Sequence, residues 1–123
     1  MTEALRCELF PADLDASIAF YVGVLGFRLV RDERSAPGPY AALERGSVRL
    51  GLAARPEVGD AGSRRPPTGV ELVLEVDDLA GEYDQVRTTG WPVDAEPVDR
   101  PWGLRDFRLL DPDGYYWRIT SRA

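Results

Sequence analysis

Pro101-Trp102-Gly103 carries the side chain best suited to recognition chemistry in this sequence. Pro and Gly keep the stretch out of regular strand pairing, so Trp102 is expected on a loop beside a sheet. There a large π-face can meet a flat ligand. The usual reactive groups are missing or isolated. None of the 123 residues is histidine, which removes the commonest metal ligand and the commonest general base at neutral pH. No Ser–His or Cys–His nucleophile can be assembled. Cys7, the one cysteine, has no disulfide partner within the chain and is expected to pack under a helix. Neither Pro37-Gly38-Pro39 nor Gly59-Asp60-Ala61-Gly62 has the strand-to-helix context of a phosphate loop. Arg64-Arg65 reads as a solvated pair.

Charge narrows the partners. The formal net charge is −6 and the pI about 4.6, against the basic face that nucleic acid requires. That field is compatible with capture of a cationic small molecule, or serves solubility alone. No apolar run approaches the roughly 20 residues of a membrane span. Met1-Thr2-Glu3-Ala4-Leu5-Arg6 lacks the pattern of a secretory signal, so a cytoplasmic location without membrane contact is expected.

The elements that must position these residues occur twice. Leu5 to Phe10 reads as a strand with Arg6 and Glu8 on one face and Cys7 and Leu9 on the other. Asp13 is a helix N-cap, and Leu14, Ile18, Tyr21 and Leu25 recur at helical spacing, which predicts a helix over 13–25 ended by Gly26. Strands follow at about 27–32, 39–45 and 47–53, the last two joined by a tight turn at Arg45-Gly46. Residues 54–68 hold Pro, Gly, Asp and Arg without periodicity and read as a linker. Then the order restarts. Val70 to Val76 is a strand, Asp78 caps a helix carrying Leu79, Tyr83 and Val86, and Gly90 ends it. Asp111-Pro112-Asp113-Gly114 has the composition of a type I turn between the strands Phe107–Leu110 and Tyr115–Ile119. Each half reads β-α-β-β-β. One such unit would bury too little apolar surface alone, so two are expected to pack together.

This repeat, with Ser17-Ile18-Ala19-Phe20-Tyr21 before Leu25-Gly26-Phe27 and the closing Asp111-Pro112-Asp113-Gly114, resembles the vicinal oxygen chelate superfamily. That superfamily includes glyoxalase I, extradiol dioxygenases and the bleomycin resistance proteins. The resemblance implies an α+β fold of two βαβββ modules whose curved mixed sheets surround a cleft. It spans nearly the whole chain as a single domain, with modules at about 1–55 and 69–123 and the linker at about 56–68. The superfamily's enzymes hold a divalent metal in that cleft with a His or Glu from each of four strands. Carried over one by one, those positions fall on Arg6, Arg49, Glu71 and Arg118. Arginine has no lone pair for a metal, so no metal and no cofactor are expected. Two roles remain open for these charges: an ion-pair cluster that fills the old cavity, or a grip on polar groups of a ligand.

The bleomycin resistance proteins are the closer resemblance. Tyr40-Ala41-Ala42-Leu43-Glu44-Arg45-Gly46-Ser47-Val48-Arg49-Leu50 and Pro101-Trp102-Gly103-Leu104-Arg105-Asp106-Phe107 carry it. In that group the Trp and an aromatic at the Tyr40 position line a groove between two subunits, where a flat part of the drug stacks. Trp102 and Tyr40 are by resemblance the stacking candidates here, with Gly103, Arg6, Glu8, Arg49, Glu71 and Arg118 as further ligand-binding residues. Trp117 is expected to face the helix layer instead. The implied protein is a homodimer that sequesters an aromatic natural product of the bleomycin, enediyne or mitomycin-like type, with no catalytic residue. The alternatives are a metal-independent lyase or isomerase using a cleft glutamate (Glu8 or Glu71, with Glu75 on the same face) as base, and a bare dimeric interaction module.

Overall fold

Two aspartates start the two helices. In the computed structural model, which describes residues 3–55 and 69–122, the Asp13 carboxylate accepts from Ala16 N at 3.1 Å and that of Asp78 from Gly81 N at 3.0 Å. Each thereby satisfies a backbone donor that the first helical turn leaves unpaired. The helices are α1 (Leu14–Gly23) and α2 (Leu79–Thr89). The strands are β1 (Arg6–Leu9), β2 (Arg28–Glu33), β3 (Tyr40–Arg45), β4 (Val48–Ala53), β5 (Leu72–Val76), β6 (Ala95–Asp99), β7 (Arg105–Leu110) and β8 (Tyr116–Ser121). The linker from residue 56 to 68, with the Gly59–Gly62 stretch and Arg64-Arg65 in it, lies outside the described residues.

The chain divides into two units, Met1–Gly59 and Asp60–Ala123. Each has the order βαβββ and one mixed four-stranded sheet, β1-β4-β3-β2 in the first and β5-β8-β7-β6 in the second. In both, the opening strand runs parallel to the last strand of the unit, and the remaining pairs are antiparallel. The expected fold is therefore present in each half.

One face of each sheet is apolar. In the first unit Leu9, Leu43, Leu50 and Leu52 are buried together with Leu14, Ile18 and Tyr21 of α1. The Tyr21 ring packs edge-on against Phe20 and Phe27, with centroids 4.9 and 5.8 Å away. In the second unit Phe107, Leu109, Trp117 and Ile119 are buried with Leu79 and Val86 of α2, and Tyr83 meets Phe107 edge-on at 5.3 Å. Trp117 shares its strand face with Ile119, as expected from the alternation along β8. The other parity of β7 and β8 carries Asp106, Arg108, Tyr116 and Arg118.

Several boundaries shift by one or two residues from the sequence reading, and for two of them the structure shows the reason. α1 stops at Gly23 with Val24 as its cap, rather than running to 25. The N–H of Leu25 bonds Phe20 O and that of Phe27 bonds Tyr21 O, which tightens the chain so that Leu25 and Phe27 are both buried. Gly26, at φ 70°, takes the left-handed conformation this reversal needs. The fifth strand begins at Leu72 rather than Val70, because Val70 is 72% exposed and makes no ladder pair. The closing turn is as expected. Gly114 N donates to Asp111 O at 3.0 Å, and Asp111 Oδ1 accepts from the N–H groups of Asp113 and Tyr115, each at 2.9 Å.

Candidate functional site

The polar face of the first sheet gathers four of the residues singled out by sequence. Arg6 and Arg49 are register partners on β1 and β4. Arg6 Nε donates to Glu8 Oε2 at 2.7 Å, and the Tyr40 hydroxyl donates to the same oxygen at 2.9 Å. Partial burial, and then the bond to Glu8, raise the Tyr40 phenol above its ordinary range. That bond also fixes the direction of the ring. Gly51 makes room for the pair, because a Cβ there would overlap both the Glu8 carboxylate and the Tyr40 hydroxyl. A shallow pocket of about 200 Å³ is lined by Arg6, Val30, Arg31, Tyr40, Glu44 and Arg49 among others. Its arginines are well exposed and each has a carboxylate close by: Glu8 for Arg6, Glu33 for Arg31 and Glu44 for Arg49. Such pairs contribute little in water. Glu8 is engaged by two donors on one oxygen, so the face is a held polar surface rather than an isolated carboxylate.

The polar face of the second sheet is more deeply set. Arg118 NH2 lies 2.9 Å from Glu71 Oε1, which joins the two positions carried over for that half. Asp106, missed by the sequence reading, is the centre of the group. Its side chain is 0% exposed. It accepts from Arg100 in a bidentate fork, with Nε at 3.0 and 3.1 Å and NH2 at 2.8 Å. That fork raises the Arg100 guanidinium further above its already high range. Arg108 and Arg118 approach Asp106 at 3.9 and 4.0 Å. Of the two roles left open for the carried-over charges, the ion-pair contact is thus present between Glu71 and Arg118, while Arg6 and Arg49 do not share it. Strand parity could have found Asp106 and Arg108. They alternate with Phe107 and Leu109 and pair with Thr120 and Arg118 across the closing hairpin.

Trp102 sits on the turn between β6 and β7, 57% exposed. Gly103 N donates to Arg100 O at 3.0 Å and Arg100 N to Leu104 O at 2.7 Å, closing the turn, with Gly103 at φ 90°. The Arg100 guanidinium lies 6.0 Å from the centroid of the Trp102 ring, at the limit of a cation–π contact. Trp91, by contrast, spends its indole N–H on Leu110 O at 2.8 Å. Cys7 is half-buried, and burial first, then the charge of Glu8, push its thiol up and away from reactivity.

A divalent metal does not fit the four carried-over positions. Arg6, Arg49 and Arg118 offer no lone pair, and Glu71, the one carboxylate, is bound by Arg118.

The model of the Glyoxalase/Bleomycin resistance protein/Dioxygenase superfamily matches residues 4–119, and the chain belongs to that family. Three solved structures illustrate the likeness. TioX from Micromonospora sp. ML1 is 26% identical, with 98% of this chain and 99% of that one covered and a TM-score of 0.79. A bleomycin resistance determinant encoded on the transposon Tn5 is 29% identical, with 98% of each chain covered and a TM-score of 0.76. A bleomycin-binding protein complexed with bleomycin is 29% identical, with 99% and 100% covered and a TM-score of 0.75. A search of the curated proteins finds no match. No helix among the described residues is long and apolar enough to cross a membrane.

Proposed function

We propose that this chain is a metal-free binding protein that protects by sequestering a flat aromatic natural product of the bleomycin, enediyne or mitomycin-like type, in the cytoplasm. The observation that carries the reading is Trp102, a large aromatic held on a closed turn with more than half its surface in water. Trp is among the residue types most enriched at the energetic centres of binding surfaces, which makes an exposed one on a closed turn a natural anchor. Tyr40, oriented by Glu8, is the second stacking candidate. Gly103 supplies the left-handed turn residue beside Trp102, and Arg6, Glu8, Arg49, Glu71 and Arg118 supply polar contacts. The likeness to a bleomycin-binding protein and to a bleomycin resistance determinant supports the ligand class. Thermal shift against metal-free bleomycin and related aromatic antibiotics tests it. At a concentration about 100 times the dissociation constant, a ligand stabilises by about 2.7 kcal/mol, and no shift with any of them would count against sequestration.

Two expectations accompany this reading. Protein purified without added metal should carry no stoichiometric zinc, nickel, iron or manganese, because guanidinium groups stand at the metal positions. Elemental analysis checks this, and one bound ion per chain would refute it. The protein should also be a twofold homodimer whose equivalent sites draw residues from both chains, the commonest closed assembly. A monomeric mass by solution scattering at micromolar concentration would count against the dimer.

A further inference from the structure

Among the described residues Arg108 is a charged group with too few partners. Arginine carries five N–H donors, yet Arg108 meets Asp106 and Glu71 only at 3.9 Å each, and its Nε is buried without an acceptor. Arg118 repeats the pattern: NH2 reaches Glu71, while its Nε too is buried and unpartnered. The two residues are register partners on β7 and β8, so they stand side by side on one sheet face. Asp106 spends three contacts on Arg100 and leaves Arg108 and Arg118 at 3.9 and 4.0 Å, beyond hydrogen-bond distance. Three guanidinium groups thus meet two carboxylates, in a chain whose overall charge is −6. Unpaired donors of this kind are costly when shielded from water. The Nε atoms themselves are shielded, but each side chain remains about one-fifth exposed, at 21% and 22%, so an acceptor from outside can approach the rest of the group.

We propose that Arg108 and Arg118 form a subsite for one carboxylate-type oxyanion of the ligand, whose aromatic part lies on Trp102. A planar oxyanion offers two acceptor oxygens, which suits two neighbouring guanidinium groups. Arg100 ties the two parts of the site together, because it reaches the Trp102 ring and the Asp106 carboxylate at once. Val98, paired with Asp106, and Val73, paired with Arg118, add apolar surface on the same face, 45% and 40% exposed. Among the flat aromatic ligands proposed above, those that carry an acid group gain this further contact. This rests on the aromatic-binding reading above and adds the acid group to it.

The test uses the full-length protein, with naphthalene-2-carboxylate and its neutral counterpart naphthalene-2-methanol as probes. The Nε–H signals of Arg108 and Arg118 are followed by nuclear magnetic resonance. The carboxylate is expected to move both signals saturably and the alcohol to leave them in place. Arg108→Gln and Arg118→Gln should each weaken carboxylate binding at least tenfold, while Arg34→Gln, paired with Asp32 elsewhere, should not. Should the alcohol bind as well as the acid, shifting the Trp102 indole signal and neither arginine, the oxyanion subsite is wrong and aromatic binding stands. Should the acid move the arginines equally in Trp102→Ala, the subsite stands and stacking fails. No saturable shift of either arginine in the parent protein overturns the subsite.

Discussion

Asp106→Ala is expected to destabilise the protein by about 3–5 kcal/mol, the effect of breaking a buried ion pair from one side. The Asp106 carboxylate is fully buried and is gripped in a fork by Arg100, with Arg108 and Arg118 at 3.9 and 4.0 Å. Removing it leaves three guanidinium groups with Glu71 as the only carboxylate of the cluster among the described residues, and strips Arg100 of a bidentate partner. Asp106→Asn keeps an acceptor oxygen and should lose less. Urea unfolding of both variants measures the difference. A loss below about 1 kcal/mol for the alanine variant, within the range of exposed pairs, would show that the arginines find other partners and that Asp106 does not organise this face.

Trp117→Ala should be comparably severe for a different reason. Its side chain is 3% exposed on β8, a central strand flanked by β7 and β5, where it pairs with Leu109 and Leu72. Truncating a buried Trp removes its transfer free energy and leaves a cavity, together about 3–5 kcal/mol. A drop in melting temperature of roughly 10 °C or more is expected for a chain of this size. A variant that melts with the parent would place Trp117 outside the core.

How far the sequence is legible depends on how local each signal is. Asp13 and Asp78 announce their helices because a cap acts within three residues, and Asp111-Pro112-Asp113-Gly114 encodes its turn within four. The end of α1 is less local. Gly26 marks the reversal, but the helix stops earlier because Leu25 and Phe27 must both reach the core. For the site, the pairing of Glu71 with Arg118 follows from aligning each half on its family. Asp106 is hard to read from sequence, because an aspartate between Arg105 and Phe107 looks like any solvated charge until β7 is paired with β8. The same holds for Gly51, whose missing Cβ matters only once β1 and β3 bring Glu8 and Tyr40 over it.

Calorimetric titration of metal-free bleomycin into the parent and into Trp102→Ala decides whether Trp102 anchors an aromatic ligand. Stacking adds about 0.5–1.5 kcal/mol beyond buried area, and an interface anchor of this kind is worth about 2 kcal/mol or more. At 1.4 kcal/mol per tenfold, the variant should bind roughly thirtyfold more weakly or worse. Its melting temperature should stay near the parent's, because a turn residue 57% exposed supports little of the core. Equal affinity of the two proteins, or unfolding of Trp102→Ala, would rule out the stacking role and make Trp102 a packing residue.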